Sequence, residues 1–126
     1  QFYSEGEFDL TPLLASGKRL LELGRSCVQA DHRGGAAMFH LWNGLADYVL
    51  ERGIEVLFGA ASFHGTDIAA LAEPLSWLYH HHLAPPDMRV TARAPHRQDM
   101  NLVPADRLDR KSAMAATPAL IKAYLR

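Results

Sequence analysis

The chain has 126 residues, the length of a single domain, and its contents of 48% hydrophobic and 21% charged residues are ordinary for a globular protein. No apolar run approaches the roughly 18 residues that a membrane-spanning helix needs. Its one cysteine, Cys27, cannot form an internal disulfide, which fits a reducing cytoplasm. A net charge of −1 and the lack of a known binding motif argue against a nucleic-acid-binding protein.

The charge is nevertheless unevenly distributed along the chain. Residues 1–88 contain five Lys and Arg against eleven Asp and Glu, whereas residues 89–126 contain eight against three. A basic region of this kind can steer an acidic partner or an anionic lipid surface toward the protein. An ordinary solvated surface explains the same distribution, so both interpretations stay open.

The first half of the chain has the pattern of a strand, a helix and a second strand. Residues 1–17 look irregular or edge-like, and residues 18–28, "KRLLELGRSCV", predict a strand. Apolar positions spaced by three and four predict an amphipathic helix over 36–52, and Gly53 follows where a C-terminal cap is expected. The nearly continuous apolar run over 54–63 is typical of a central strand covered on both faces. Together these elements predict a βαβ unit.

Two further elements are predicted in the middle of the chain. A helix is expected to begin near Glu73 and Pro74, with the proline in its first turn, and to continue toward His82. Residues 88–94, "MRVTARA", alternate apolar with polar and basic positions, which predicts a strand with one basic face.

A last helix is predicted at the end of the chain, with Thr117 as its N-cap and Pro118 as its first residue. No internal repeat and no low-complexity segment interrupts the sequence. We therefore expect residues 1–126 to form one α/β domain.

The turn before the first predicted helix is a candidate phosphate site. Free peptide NH groups at a helix N-terminus bind phosphate well, and Gly34 and Gly35 would let a ligand approach the backbone closely. Arg33 adds a forked, charged donor suited to phosphate oxygens. A pair of glycines also marks ordinary strand-to-helix turns, and the segment matches neither the Rossmann fingerprint nor the P-loop.

Two charges in the first predicted strand, Glu22 and Arg25, have no role in a buried strand. Residues three apart point to opposite faces, but a β-bulge at Gly24 would bring both to the same side. A carboxylate beside a phosphate site could act as a general base on an amine or hold that amine in place. A Glu–Arg pair that satisfies itself is the structural alternative.

The run from Val28 to Met38 resembles motif A of the Gcn5-related N-acyltransferases, "VxxxxRGGxxM" in this chain. In that family the loop R/Q-x-x-G-x-G/A grips the pyrophosphate of the acyl donor between two splayed strands. Counted from Arg33, the fourth position is Ala36 instead of Gly, and the sixth is Met38 instead of Gly or Ala. This departure makes ordinary coenzyme A less expected as the donor.

Five segments in the same order resemble the ornithine lipid N-acyltransferases, a branch with the Gcn5-related fold that is similar to acyl-homoserine lactone synthases. The segments are "EFDLTPLL", "GKRLLELGRSCV", "LFGAASFHGTD", "LSWLYHHH" and "TPALIKAYLR". The resemblance covers nearly the whole chain and implies a mixed central sheet with flanking helices. It also implies that the family's domain begins before Gln1 and continues after Arg126, so that its first strands and last strand lie outside this fragment.

The resemblance implies that a 3-hydroxyacyl chain moves from acyl carrier protein to the α-amine of ornithine, giving lyso-ornithine lipid. Such a donor carries a phosphopantetheine arm without adenosine diphosphate, so a relaxed pyrophosphate loop is understandable. No permanently bound cofactor and no metal are expected. The reaction is placed in the cytoplasm, at the inner face of the membrane. An N-acyl amino acid synthase, an enzyme similar to acyl-homoserine lactone synthases with another amine, and a non-catalytic carrier-binding module stay open as alternatives.

Roles for individual residues follow from the same resemblance, in which Glu22 and Arg25 match an E-x-x-R motif. Glu22 is the candidate for the base or the ammonium anchor, and Arg25 orients it or binds a substrate carboxylate. Backbone amides around Val28 are expected to hold the pantetheine or the thioester carbonyl. The residues expected to hold the phosphate of the arm are Arg33, Gly34, Gly35 and Ala36.

The segment after the second predicted strand supplies weaker candidates. Ser62 could protonate the leaving thiolate, and His64 and Asp67 could line the amine site, although a turn of this composition needs no function. Cys27 is expected to be a small core residue. Metal binding by His80–His82 is not expected, because adjacent helical residues point about 100° apart.

A basic surface is the candidate docking site for the acidic carrier protein. It consists of the predicted strand near residue 90 and the turn that follows it. Its members are Arg89, Arg93, His96 and Arg97.

Overall fold

The computed structural model describes residues 1–95 and 97–125. Within these ranges the chain forms both helices and strands, which confirms the predicted α/β class. In chain order the elements are β1 (Phe8–Asp9), α1 (Thr11–Ala15), β2 (Leu20–Glu22), α2 (Ala37–Arg52), β3 (Val56–Phe58), α3 (Ile68–His81), β4 (Thr91–Ala92), α4 (Arg110–Ala116) and α5 (Ala119–Tyr124). Short 3₁₀ turns occur at Tyr3–Gly6, Ala30–His32, Pro86–Met88 and Ala105–Arg107.

The predicted βαβ unit is confirmed. β2 and β3 are parallel neighbours, with Leu20 beside Val56 and Glu22 beside Phe58, and α2 connects them. Both strands are much shorter than the predicted spans, because the two backbone segments diverge soon after the paired residues. The expectation that the second strand is covered on both faces is also wrong within the described residues, since Leu57 is 43% exposed.

Helix α2 agrees with its predicted bounds to within one residue. Gly53 ends it in the left-handed conformation, with φ of 58°, and its amide donates to the carbonyls of Val49 and Leu50. Glycine suits this cap because it reaches a positive φ without steric cost. None of the residues of α2 is fully buried, and the side chain of Phe39 is 65% exposed.

Helix α3 begins well before the predicted start. Asp67 is its N-cap, and the carboxylate accepts hydrogen bonds from the amides of Ala69 and Ala70 at 3.0 and 3.4 Å. Pro74 therefore lies in the helix interior, where a proline costs about 3 kcal/mol relative to alanine. The cap and the complete burial of the Pro74 ring act against that cost. The predicted start is wrong because the Asp67 carboxylate, and not Pro74, begins the helix by satisfying its first free amides.

Helix α3 packs against α4 and against residues 100–103, which precede α4 in the chain. The buried hydroxyl of Ser76 donates to the carbonyl of Met100 at 3.0 Å and accepts from the amides of Leu102 and Val103 at 3.0 and 2.9 Å. Ala113 of α4 is fully buried and forms part of the small core. Pro74, Ser76, Ala113 and Thr117, all buried, lie in this region.

The end of the chain contains two helices where one was predicted. Asp109 caps α4 by accepting from the amide of Ser112 at 2.8 Å, a signal that the sequence interpretation missed. Thr117 does not cap α5, because its hydroxyl donates back to the carbonyl of Ala113 at 2.8 Å. Pro118 occupies the N-cap position of α5 and is not its first residue.

The first 17 residues form an edge, as predicted. β1 pairs antiparallel with β4, with Phe8 beside Ala92, and Leu10 and Leu13, the N-cap and a residue of α1, are buried. The strand predicted over 88–94 is reduced to β4, because the preceding residues form a 3₁₀ turn. Among the described residues, no helix has both the length and the apolar character required to cross a membrane.

Candidate functional site

A cleft opens where β2 and β3 separate. The last hydrogen bond between the two segments runs from the amide of Leu23 to the carbonyl of Phe58, at 2.7 Å. Beyond it, the peptide NH groups of residues 24–28 and 60–63 donate no hydrogen bond to any other described residue. Unpaired peptide NH groups of this kind are donors that a ligand can use.

Glycine is required at the base of the cleft. A Cβ added to Gly59 would lie 2.0 Å from the carbonyl oxygen of Leu23, far inside van der Waals contact. The absence of a side chain lets the two strands stay close at this point before they diverge.

The cleft has a cavity volume of about 630 Å³, within the usual size range of small-molecule sites. Its lining divides by chemistry: Arg25 and Ser26 are polar and come from the loop after β2. The other lining is mainly apolar and includes Trp42 of α2, Leu57 of β3 and Tyr124 of α5. The rings of Trp42 and Tyr124 meet edge to face, with centroids 5.7 Å apart.

The carboxylate of Glu22 is held by the N-terminal segment. It accepts hydrogen bonds from the amides of Tyr3 and Ser4 at 2.7 and 2.8 Å, and a short one from the Ser4 hydroxyl. The Ser4 hydroxyl is the largest influence on the pKa of Glu22 and lowers it, desolvation opposes the change, and the two amides lower the pKa further. Glu22 is therefore ionised under ordinary conditions.

The structure does not bring Glu22 and Arg25 together through a bulge. The chain leaves the sheet after Leu23, and Arg25 adopts a left-handed φ of 53°. Because side chains alternate along a strand, Glu22 points to the face opposite that of Leu21 and Leu23. The prediction of a bulge at Gly24 is wrong, since a bulge needs continued pairing and the pairing ends here. Arg25 lines the cleft, whereas Glu22 contacts the N-terminal segment.

The predicted phosphate turn is exposed and lies directly before α2. Nε of Arg33 donates to the carbonyl of Val28 at 2.9 Å, which ties the turn to the loop after β2. Gly34 has a φ of 80°, which glycine adopts readily. Ala36 is the N-cap of α2 and offers no capping side chain. Within the described chain, the amides of Gly34, Gly35 and Ala36 donate no hydrogen bond.

The candidates after β3 are exposed and are not part of the cleft lining. Ser62 and His64 make no hydrogen bond to any described residue. Asp67 has a structural use as the cap of α3, which accounts for it without a substrate. Their roles at an amine site remain predictions.

Two arginines of the basic surface already donate hydrogen bonds to backbone carbonyls. Arg89 donates through two nitrogens to the carbonyl of Ala84, at 3.0 and 2.9 Å. Arg93 donates through Nε to two carbonyls of the N-terminal segment, at 3.0 and 3.3 Å. Arg97 is exposed, and His96 lies outside the described residues. The side chains of Arg89 and Arg93 remain exposed, so their charges are accessible to a partner.

Sequence interpretation missed most of the cleft lining. Trp42 and Tyr124 fall on helix positions whose spacing indicates packing and carries no signal for a cleft. Gly59 interrupts an apolar strand run, and an isolated glycine in a strand is a known signal for close backbone approach. Gly59 therefore carries such a signal in the sequence.

The class of the protein follows from a comparison with family models. Residues 1–43 match the model described as "Acetyltransferase (GNAT) domain". This segment contains β2, the loop after it and the start of α2, the elements that form one side of the cleft and the predicted phosphate turn. The chain therefore contains part of a Gcn5-related N-acyltransferase domain, as the sequence resemblance indicated.

Curated relatives define the family more closely. The chain is 66% identical over its whole length to an L-ornithine N(alpha)-acyltransferase of Rhodobacter capsulatus and covers 48% of that protein. It is 44% and 39% identical to proteins of the same name from Brucella abortus and Agrobacterium fabrum, over 99% of the chain and 45% and 43% of theirs. It is thus homologous throughout to L-ornithine N(alpha)-acyltransferases and spans about half their length. No solved structure matches the chain significantly.

Proposed function

We propose that the chain is the acyl-donor-binding part of an N-acyltransferase that acylates the α-amine of ornithine. The identity of 66% to a protein with that printed activity, over every residue of this chain, carries the proposal. The cleft supplies a physical reason, because it combines free peptide NH groups with an apolar cavity. A fatty acyl thioester has the same two parts, a polar carbonyl and an apolar chain.

The donor in this proposal is a 3-hydroxyacyl acyl carrier protein, and the product is lyso-ornithine lipid. The neutral amine of ornithine attacks the thioester carbon, so that a C–N bond forms and the C–S bond breaks. The amine loses a proton and the leaving thiolate gains one, which balances the reaction. Positioning the two substrates supplies much of the acceleration in such a step.

The free amides after β2 are the proposed contacts of the thioester and the pantetheine. A thioester carbonyl becomes more negative as the amine attacks, and peptide NH groups aimed at it stabilise that charge. Val28 lies in this loop, and its own carbonyl is already used by Arg33. The amides of residues 24–28 are therefore the proposed donors at the reactive end of the cleft.

The turn before α2 is the proposed site of the phosphate on the pantetheine arm. Arg33 uses Nε within the protein, and its two terminal nitrogens donate no hydrogen bond to any described residue. The free amides of Gly34, Gly35 and Ala36 add neutral donors at the positive end of the helix. One phosphate needs less of this loop than a pyrophosphate does, which fits the departure from the family motif.

Glu22 lies on the face of β2 opposite the cleft lining, so we propose it as an anchor for an ammonium that approaches from that face, a role that suits it better than that of a base. A carboxylate has about four lone-pair positions, and three hydrogen bonds leave room for one more donor. Its lowered pKa makes it a weaker base and a more permanent negative charge. Arg25, which lines the cleft, is the proposed contact for the ornithine carboxylate.

The basic surface is the proposed docking site of the carrier protein. Arg89, Arg93 and Arg97 are exposed, and carrier proteins present acidic surfaces that exposed arginines would attract. We further propose that the reaction takes place in the cytoplasm, beside the inner face of the membrane that receives the product.

Mass spectrometry of the reaction product tests the proposed function directly. The purified protein, incubated with 3-hydroxyacyl carrier protein and ornithine, is expected to form N-acylated ornithine. Other amino acids and S-adenosylmethionine are supplied in parallel reactions, because the latter is the acceptor of homoserine lactone synthesis. Product from another acceptor, or carrier binding without any product, would contradict the proposal.

A variant of the phosphate turn tests the donor site. Arg33→Ala removes a charge-assisted donor, so we expect KM for the loaded carrier to rise about tenfold or more. Arg107→Ala changes an exposed arginine of a 3₁₀ turn that does not line the cleft, and this matched control should leave KM unchanged. An equal rise in both variants would indicate nonspecific charge attraction in place of a phosphate site.

A further inference from the structure

The cleft has a polar end at the loop after β2 and an apolar end at the helices. Its polar lining, Arg25 and Ser26, lies on the same loop as the free peptide NH groups. Its apolar lining comes mainly from the helices, with Leu120 and Tyr124 on α5 and Trp42 on α2, and is continued by Leu57 of β3. An occupant that satisfies both parts has a polar head at the loop and a hydrocarbon body along the helices.

The apolar lining is too exposed to be ordinary core. Within the described structure Leu57, Leu120 and Tyr124 have 43%, 48% and 50% of their surface accessible, and all three face one cavity. Apolar surface of this kind gains free energy when a hydrocarbon covers it. Clustering on one concave wall distinguishes these residues from scattered surface leucines, which need no explanation.

An aromatic pair joins the two helices at the cleft. The edge-to-face contact of Tyr124 with Trp42, at 5.7 Å, links α5 to α2 across the apolar part of the cavity. Aromatic side chains are bulky and have few rotatable bonds, so they make firm walls. Removing one ring enlarges the cavity, whereas adding a ring to the neighbouring position 120 reduces it.

We propose that Tyr124, supported by Trp42, limits the length of the acyl chain that the cleft accepts. The proposal rests on the proposed function, because it assumes that the occupant is the acyl chain of the thioester donor. The thioester lies at the loop after β2, and the chain extends along α5 toward the aromatic pair. Tyr124 is thus a specificity-determining residue that contacts the end of the chain and takes no part in the chemistry.

Competition among donors of different lengths tests this assignment. Carrier proteins loaded with 3-hydroxyacyl chains of increasing length are offered to the wild-type protein, to Tyr124→Ala and to Leu120→Trp. In Tyr124→Ala each additional methylene that reaches newly opened apolar wall should raise relative kcat/KM about fourfold, or about fifteenfold for two carbons. In Leu120→Trp the longest donors should lose about tenfold relative to the shortest, because overpacking excludes them.

A matched control and two contrary outcomes complete the test. Tyr48→Ala removes an equally large ring from an exposed position of α2 that does not line the cleft, and it should leave the length profile unchanged. A wild-type protein that acylates ornithine, but whose profile neither variant shifts, overturns the inference and leaves the proposed function intact. That result would mean that another part of the protein covers the wall. A wild-type protein that acylates no amine with any donor overturns the proposed function itself.

Discussion

Two units of the described structure are built in contrasting ways. The open unit consists of β2, α2 and β3, and the closed unit consists of α3, α4 and residues 99–103. In the open unit the paired strands are three residues long, α2 has no fully buried residue, and the backbone beyond the strands has free NH groups. In the closed unit a buried hydroxyl, that of Ser76, pairs with three backbone groups.

In the closed unit the protein pairs its own backbone NH and carbonyl groups, whereas in the open unit some backbone NH groups are free to bind a ligand. Buried polar groups without partners are costly, so a folded chain normally pairs them. The closed unit follows this rule completely among its described side chains. In the open unit the free groups lie at an exposed cleft, where water or a ligand can satisfy them. The open unit is therefore the place to expect binding, and the closed unit the place to expect stability.

The largest effect is expected from Gly59→Ala. The added Cβ would overlap the carbonyl of Leu23, so β2 and β3 must move apart at the base of the cleft. We expect the free energy of unfolding to fall by about 3 kcal/mol, and donor affinity to fall with it. Denaturant unfolding and a binding assay with loaded carrier protein measure the two quantities.

The control for this change lies within the same unit. Gly44 is an exposed residue in the middle of α2, and an added Cβ meets no atom within 4 Å. Gly44→Ala should therefore stabilise the protein by about 0.5–1 kcal/mol through helix propensity alone. A Gly59→Ala variant that is as stable as Gly44→Ala would contradict the close approach of β2 and β3 at Gly59.

The second effect concerns the closed unit. Ser76→Ala leaves the carbonyl of Met100 and the amides of Leu102 and Val103 without their shared partner. We expect the free energy of unfolding to fall by about 2 kcal/mol, because the three groups stay desolvated. Donor affinity should not change. Its loss in this variant would remove the distinction between the two units.

An exposed serine provides the comparison for Ser76. The hydroxyl of Ser112 donates to the carboxylate of Glu73 at 2.6 Å, at the surface. Ser112→Ala should change the free energy of unfolding by about 0.5 kcal/mol, because water replaces the lost partner. Both variants are measured by the same denaturant titration.

A smaller effect is expected from Asp67→Ala, at the junction between the two units. The substitution removes the N-cap of α3 and should lower the free energy of unfolding by about 1 kcal/mol. Asp67→Asn keeps an oxygen at the cap and should recover most of the loss. If activity toward ornithine disappears in both variants while stability is recovered in Asp67→Asn, Asp67 contacts substrate in addition to capping the helix.

The smallest effect is a pH dependence of the N-terminal segment. Hydrogen bonds from Ser4 lower the pKa of Glu22, and a hydrogen bond from the Thr11 hydroxyl is the main reason that the pKa of Asp9 is lowered. A depressed folded-state pKa stabilises fully above the ordinary carboxyl pKa of about 4, and the contribution is lost as the pH falls through the folded value. The segment should therefore remain docked at neutral pH and loosen in acid.

Nuclear magnetic resonance can follow this transition at the residues concerned. The amide shifts of Tyr3 and Ser4 should titrate with a midpoint below the ordinary pKa of a glutamate. In Glu22→Gln this titration should disappear. A midpoint at the ordinary pKa in the wild-type protein would contradict the hydrogen bonds that hold the carboxylate.

Local signals in the sequence predicted local structure well. The apolar spacing and the glycine at position 53 predicted α2 because helix periodicity and a left-handed cap depend on neighbouring residues alone. Asp67 and Asp109 are caps of the same local kind, and they place the start of α3 before Pro74 and separate α4 from α5. The proposal of a phosphate site in the turn before α2 likewise rests on adjacent residues alone.

The sequence by itself determined the family, the βαβ order, the helix α2 and the turn with free amides before it. Only the tertiary structure decided where β2 and β3 separate, that Glu22 binds the N-terminal segment, and that Tyr124 meets Trp42 across a cleft. The physical reason is separation along the chain. A cap or a periodic face is specified within a few residues, whereas Glu22 and its partners, or Trp42 and Tyr124, meet only after the whole chain has packed.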